Sequence, residues 1–235
     1  NDISNPFLRD ELARQLHTDM GQVACHGTWV NFFINGSYKG YYNPTERVEE
    51  GFLQSWHGGG ESWDIITVGS AVQGGDNVSW NAMRNYISSQ NVLLPDVYTE
   101  IMRPLDVTNF VDYLLVNVYG ATWDWPHNNW RAARERAPAG IWRFYVWDAE
   151  GAFGGFDGSA PTTDPFIARN INGAGVASPL LNGTAEIPVL YTRLRNSPEF
   201  RLLWADRIQK HFFNDGALTD TNVANRFIQM RSELI

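Results

Sequence analysis

Apolar and polar positions along the chain follow two periods that divide it into helices and hairpins. Val107, Phe110, Val111, Leu114, Leu115 and Val118 recur at helical spacing and predict a core helix over Asp106–Tyr119, ending at Gly120. Behind Ser4-Asn5-Pro6, the residues Phe7, Leu8, Leu12 and Leu16 share a face of a second helix that Gly21 should stop. A third is expected over Ser79–Gln90 with Ser79 as its cap. In the last third, Ser197-Pro198-Glu199 opens a helix that turns Phe200, Leu203, Trp204, Ile208 and Phe212 inward. Thr219–Leu234 places Val223, Phe227, Met230 and Leu234 on one face.

Strand-like runs come in pairs. Trp29–Ile34 and Tyr38–Tyr42 flank Asn35-Gly36-Ser37, the strongest short-range hairpin signal. Trp130–Glu135 and Ile141–Trp147 flank the strand-breaking Ala137-Pro138-Ala139-Gly140. Ile65–Val68 reads as a short strand and Gly69–Asn77 as a loop. Gly155–Val176, rich in Gly, Pro, Thr, Asp and Asn, reads as a long loop of the kind that docks a substrate or simply crosses the surface, and Arg169 within it is a candidate phosphate neighbour. The fold class expected is α+β with a helical C-terminal part.

Composition narrows the function. A chain of 235 residues that is 43% hydrophobic and carries ten tryptophans makes one large domain or two fused lobes. No apolar run approaches the ~18 residues of a membrane span. A net charge of −8 argues against a nucleic-acid binder, which draws its affinity from a basic face. Cys25 is the only cysteine, so no internal disulfide forms, and a buried inert thiol is expected. The chain opens Asn-Asp-Ile-Ser and reads as a piece of something longer.

Candidate chemistry gathers around the second hairpin. Asp124 is followed five residues later by Asn129, and Asp148 leaves the second strand with Glu150 two residues on. A hairpin returns the chain to its start, so Asp124, Asn129 and Asp148 can meet at its open end. Such oxygen donors suit Mg²⁺ and leave coordination positions for phosphate. Asp-x-x-x-x-Asn, a hairpin, then an Asp opening a Gly-containing loop is the order of parts in protein-kinase active sites. His127 has no second histidine at a ligand spacing and is expected to hold the loop by a hydrogen bond. Glu46 and Arg47 read two ways, as nucleotide-side charges or as the solvated first turn of a helix. His57-Gly58-Gly59-Gly60 lacks the GK[ST] of a phosphate loop, and with loop-like flanks on both sides it reads as a connector.

Together these motifs resemble the CotH kinase family, atypical protein-kinase-like domains known from bacterial spore-coat proteins and from secreted and surface proteins. Asn35-Gly36 with Gly40 and Tyr41, then Glu46, then Asp124 with His127-Asn128-Asn129, then Trp147-Asp148 through Phe153-Gly154 carry the resemblance, across residues 5–215. One departure is Glu150 where the family often has Asp. The resemblance implies a two-lobed kinase-like fold, with residues 1–75 as a partial nucleotide-side lobe and 76–235 as a mainly helical catalytic lobe. It implies ATP and Mg²⁺ (or Mn²⁺) as cofactors, a Ser or Thr hydroxyl of a protein as acceptor, and an extracellular or cell- or spore-surface location. Asp124 would orient the acceptor, Asp148, Asn129 and Glu150 would hold metal, and Glu46 and Arg47 would face the nucleotide. The lysine that kinases set against phosphate has no evident counterpart, since Lys39 falls at the tip of the first hairpin. Either upstream strands supply it, or Arg47 and other arginines do. Two other classes are compatible with the residues: a non-catalytic surface module (a pseudokinase or a carbohydrate-binding domain using tryptophan faces), and a Mg²⁺-dependent phosphohydrolase.

Overall fold

The structure, a computed structural model, describes residues 8–60, 62–155, 166 and 179–234. The expectations for Ser4–Phe7, for Arg169 and for nearly all of the 155–176 loop lie outside them. The described residues form eight α-helices and two small antiparallel sheets, an α+β arrangement. The order is α1 (Leu8–Asp19), β1 (Val30–Ile34), β2 (Ser37–Tyr42), α2 (Glu50–His57), β3 (Trp63–Thr67), β4 (Ala71–Gly74), α3 (Val78–Ser89), α4 (Pro95–Met102), α5 (Val107–Tyr119), β5 (Trp130–Glu135), β6 (Arg143–Val146), α6 (Glu186–Leu194), α7 (Pro198–Phe212) and α8 (Asp220–Ser232).

The four-stranded sheet runs β4-β3-β5-β6 and organises the core through its two-residue period. Ile66, Trp130, Ala132, Phe144 and Val146 face one side and join the large core built with α1, α3 and α5. Trp63, Ile65, Ala133 and Tyr145 face the other side and close a small core with Cys25, Val48 and α2 residues Phe52 and Leu53. The large core is aromatic at its centre. Trp80 stacks on Trp130 at 5.6 Å and meets Trp142 edge-on at 5.1 Å, while Phe110 lies 4.8 Å from Phe144. Strands from both sides of residue 75 share this sheet.

α5 is the buried axis. Asp106 caps it by accepting from the Asn109 amide at 2.9 Å, and α1, α7 and β6 pack around it. Its Asn109 also ties the sheet down, since its Oδ1 accepts from Phe144 N at 2.6 Å. Ser197 caps α7 as the sequence predicts. Gly21 ends α1 in a left-handed conformation at φ +90°, with its N–H on the Thr18 carbonyl.

Four expectations are corrected. Gln54-Ser55-Trp56 belong to α2, and Trp63 begins β3, so the flanks of the glycine run are not loop. Residues 71–74 form the edge strand β4 inside the expected loop, pairing with β3. α3 starts one residue before Ser79. Asp76 accepts from Val78 N at 2.9 Å, and the Ser79 hydroxyl instead meets the Trp142 indole N–H at 3.4 Å. On α8, Phe227 is 41% exposed rather than packed inward.

The first hairpin forms as predicted. Ile34 pairs with Ser37 across Asn35 and Gly36, both at positive φ, as a two-residue primed turn requires. It projects from the body with Phe32, Phe33, Ile34 and Tyr38 exposed.

Candidate active site

The open end of the β5–β6 hairpin is set by register. Trp130 pairs with Val146, so Asn129 and Trp147 stand just beyond the last rung, and Asp148 follows. Asn129 and Asp148 both adopt left-handed backbone, at φ 52° and 56°, a region that non-glycine residues seldom occupy and that Asn and Asp tolerate best. A hydrogen bond joins them: Asn129 Nδ2 donates to the Asp148 carbonyl at 3.0 Å. This leaves the Asn129 amide oxygen available to a cation.

The loop from α5 to β5 is held from beneath. Trp125 is buried and its indole N–H donates to the Tyr113 hydroxyl at 2.7 Å, pinning the loop to α5. Asp124 stands above, about a third exposed, with Asn128 Nδ2 on Oδ2 at 2.8 Å and His127 Nε2 3.2 Å from Oδ1. The second nitrogen of His127, Nδ1, is buried without a partner. His127 thus contacts Asp124 within the same loop, in keeping with the loop-holding hydrogen bond expected of it.

The loop after Asp148 folds back on α5. Phe153 N donates to the Gly120 carbonyl at 2.7 Å, and the Phe153 ring meets Tyr119 edge-on at 6.3 Å. Its other support comes from α1, where Asp10 Oδ1 accepts from Ala149 N at 2.8 Å. Asp10 is held in turn by Arg14, whose Nε donates to Oδ2 at 3.2 Å. Arg14 is buried and also reaches the Cys25 carbonyl at 2.7 Å and Asn43 Oδ1 at 2.9 Å. One arginine therefore ties α1, the base of the first hairpin and the Asp148 loop together.

A cavity of about 300 Å³ opens at this junction, lined by Asp10, Arg14, Cys25, Thr45, Glu46, Arg47, Val146, Trp147 and Asp148. Glu46 does not start a helix. Gly27 bridges Thr45, Glu46 N donates to the His26 carbonyl at 2.9 Å, and the Glu46 carboxylate accepts from His26 N at 2.9 Å and from the Trp56 indole. Of the six residues singled out by sequence, Glu46, Arg47 and Asp148 line the cavity, while Asn129 is bonded to Asp148. The close approach of the Asp148 side chain, then burial and the charges of Asp148, Asp10 and Asp124 push the Glu150 carboxyl up to about 8. Asp124 thus sits within electrostatic reach of Glu150 without lining the cavity.

Sequence reasoning missed Asp10, Arg14 and Arg131. Arg131 stacks over the Trp147 ring at 4.4 Å and donates to the Thr67 hydroxyl. Burial, then the like charge of Arg47, lowers its hold on its proton. The Cys25 thiol is buried and pushed up to about 12, chiefly by burial, so it is inert as expected. The glycine run stays off the cavity, with Gly60 N donating to Glu135 at 2.6 Å. Among the described residues, no three His, Cys, Asp or Glu side chains are grouped as a metal cage.

The family described as CotH kinase protein matches residues 1–234. The chain belongs to the CotH kinase family. The match spans more of the chain than the 5–215 that carry the recognisable motifs, and takes in α8. No curated protein is similar enough to be matched. Membership brings with it a kinase-like function in general terms. Among the described residues, no helix is long and apolar enough to cross a membrane.

Proposed function

We propose that this CotH kinase domain transfers the γ-phosphoryl group of ATP, with Mg²⁺ or Mn²⁺, to a Ser or Thr hydroxyl of a protein. The observation that carries the reading is the Asn129–Asp148 bond at the mouth of the cavity, which fixes two oxygen-bearing residues beside a space fit for phosphate. Mg²⁺ is commonly held by one or two carboxylates plus substrate phosphates, so a three-residue cage is not required. The donor set fits such an ion. The negative charge of Asp148 beside Glu150 raises the Glu150 carboxyl, and a divalent cation would offset that charge. When bound, the ion would neutralise charge on the phosphates.

In this reading, Asp148, Asn129 and Glu150 hold the cation. Arg47 contacts phosphate, and Glu46, fixed by His26 and Trp56, faces the nucleotide from the first-hairpin side. Asp124, steadied by Asn128 and His127, accepts the proton of the acceptor hydroxyl or orients it. A carboxylate has about four lone-pair positions, so two hydrogen bonds leave it capacity for this task. Residues 1–75 then supply the nucleotide side and 76–235 the catalytic side of a kinase-like pair of lobes. The acceptor is a protein and not a nucleic acid, as the −8 charge favours, and a secreted or surface setting goes with the family.

For the sugar-stacking alternative, five of the ten tryptophans, Trp63, Trp80, Trp125, Trp130 and Trp142, are buried and offer no stacking face, while Trp56 is exposed. The test is label transfer from γ-labelled ATP to a Ser-rich acceptor by wild type and Asp124→Ala. Transfer by wild type, with the variant binding ATP but transferring nothing, supports the assignment. Phosphate release without an acceptor would favour the phosphohydrolase.

A further inference from the structure

The phosphate-side lysine of kinases has no counterpart here. Lys39 is exposed on β2 and Lys210 lies on α7, neither lining the cavity. A different cation is built into the site. Arg131 sits on β5 opposite Thr67 and Tyr145, on the sheet face that turns toward Cys25 and α2. Its guanidinium lies over Trp147, a wall of the cavity, at 4.4 Å. Nη1 spends its two hydrogens on the Thr67 hydroxyl and the Trp130 carbonyl, the latter at 3.1 Å. Nε and Nη2 make no hydrogen bond among the described residues. Arg131 reaches the cavity through the Trp147 wall, whereas Arg47 lines it directly, forms no ion pair among the described residues, and is near enough for the two like charges to oppose each other. The acid whose charge acts on Arg131 is Asp148, which the proposed cation would engage.

Two arginines held near one another, one of them locked by a ring and a hydroxyl, make a site that an anion with several oxygens would relieve. A planar fork with free N–H groups matches phosphate oxygens, and its fixed pose reduces the ordering cost on binding. We propose that Arg131 and Arg47 form a two-arginine clamp for the phosphate chain of the nucleotide, in place of a lysine. Arg131 is the rigid element and Arg47 the exposed arm. The inference deepens the nucleotide reading above and rests on it.

Isothermal titration calorimetry with ATP, inorganic tripolyphosphate and adenosine, each with Mg²⁺, tests the clamp on the intact chain. Wild type should bind ATP and tripolyphosphate. Arg131→Met and Arg47→Met should each weaken both by about tenfold or more while leaving adenosine affinity unchanged. ATP and tripolyphosphate affinities unchanged in Arg131→Met would overturn the clamp while leaving the nucleotide reading in place. A wild type that binds none of the three would overturn the nucleotide reading and the clamp with it. Should Arg131→Met fail to fold, Arg131→Lys decides. It keeps charge and stem but not the fork, so a loss of about threefold or more for tripolyphosphate supports the clamp, and no loss refutes it.

Discussion

Replacing Arg207 by Met tests how α7 is fastened to the core helix. Asp112 on α5 is fully buried, and Arg207 is its main counter-charge. Nε donates to Oδ1 at 2.7 Å and Nη2 to Oδ2, while Gln22 Nε2 adds 2.6 Å to Oδ2 and His211 Nε2 lies 3.3 Å from Oδ1. Burial pushes the Asp112 carboxyl upward, but the nearby His211 ring, the Arg207 hydrogen bonds and charge, and Gln22 outweigh it and hold the group below the usual carboxylate range. Met keeps much of the aliphatic stem and removes the charge. Stranding a buried charge costs about 3–5 kcal/mol, and two remaining partners place this case near about 3 kcal/mol. For a chain of this size that is about 6–12 °C in Tm. The sign with pH follows. In wild type the depressed carboxyl contributes stability above its unfolded pKa, about 3.9, and loses it as pH falls through the folded value. In the variant, burial is less opposed and the carboxyl rises, so the deficit against wild type should shrink as pH drops from 7 towards 4. Urea unfolding of both proteins by tryptophan fluorescence, with Asp112→Asn and the double variant completing a cycle, reads this out. A loss under about 1 kcal/mol, or strict additivity in the cycle, would refute the reasoning.

Further predictions follow from neighbouring observations. His17 is fully buried with both ring nitrogens unpartnered, and burial, opposed by Asp112 and reinforced by His211, lowers it to about 4. The unfolded chain therefore takes up a proton that the folded one refuses, so stability should fall as pH drops from about 6.5 towards about 4. His17→Leu should flatten that part of the urea-midpoint profile, and an unchanged slope would remove His17 as its source. Asp10→Ala deletes the acceptor of the Ala149 amide, so the metal concentration for half-maximal activity should rise several-fold with little loss of Tm, whereas Asp10→Asn, which keeps an acceptor oxygen, should lose less. Equal metal dependence in all three proteins would deny Asp10 a role in placing the loop. Trp125→Phe breaks the 2.7 Å bond to Tyr113 and leaves a buried hydroxyl unpaired, for a cost of about 1–3 kcal/mol by thermal melt.

The sequence was legible where one period ran long or a turn had only one solution. α5 carries six apolar residues at helical spacing, and Asn35-Gly36 admits few geometries besides a primed turn. The second hairpin was also readable, and with it the meeting of Asn129 and Asp148, because a hairpin's ends must return together. β4 was hidden because four half-polar edge residues, Ala71–Gly74, have no apolar alternation to display. α2 and α4 were hidden because eight residues holding glycine, serine or proline give too little pattern, and their stability comes from what Phe52, Leu53, Tyr98 and Ile101 bury. Asp10 and Arg14 could not be singled out at all. On α1 they look like the charged face of any amphipathic helix, and only packing brings them to a loop more than a hundred residues away. Arg131 was masked in the same way, as one more arginine in a strand.

The central claim is that Asp148 holds the metal for a phosphoryl transfer, and the most direct measurement is transfer of label from γ-labelled ATP to a Ser-rich protein acceptor with Mg²⁺ or Mn²⁺. Wild type and Asp148→Ala should be compared at matched Tm, with free phosphate counted in parallel. The account predicts labelled acceptor for wild type and none above background for Asp148→Ala. Equal labelling by the two proteins would contradict the metal assignment, and no labelling by a wild type that still binds ATP would contradict the kinase reading.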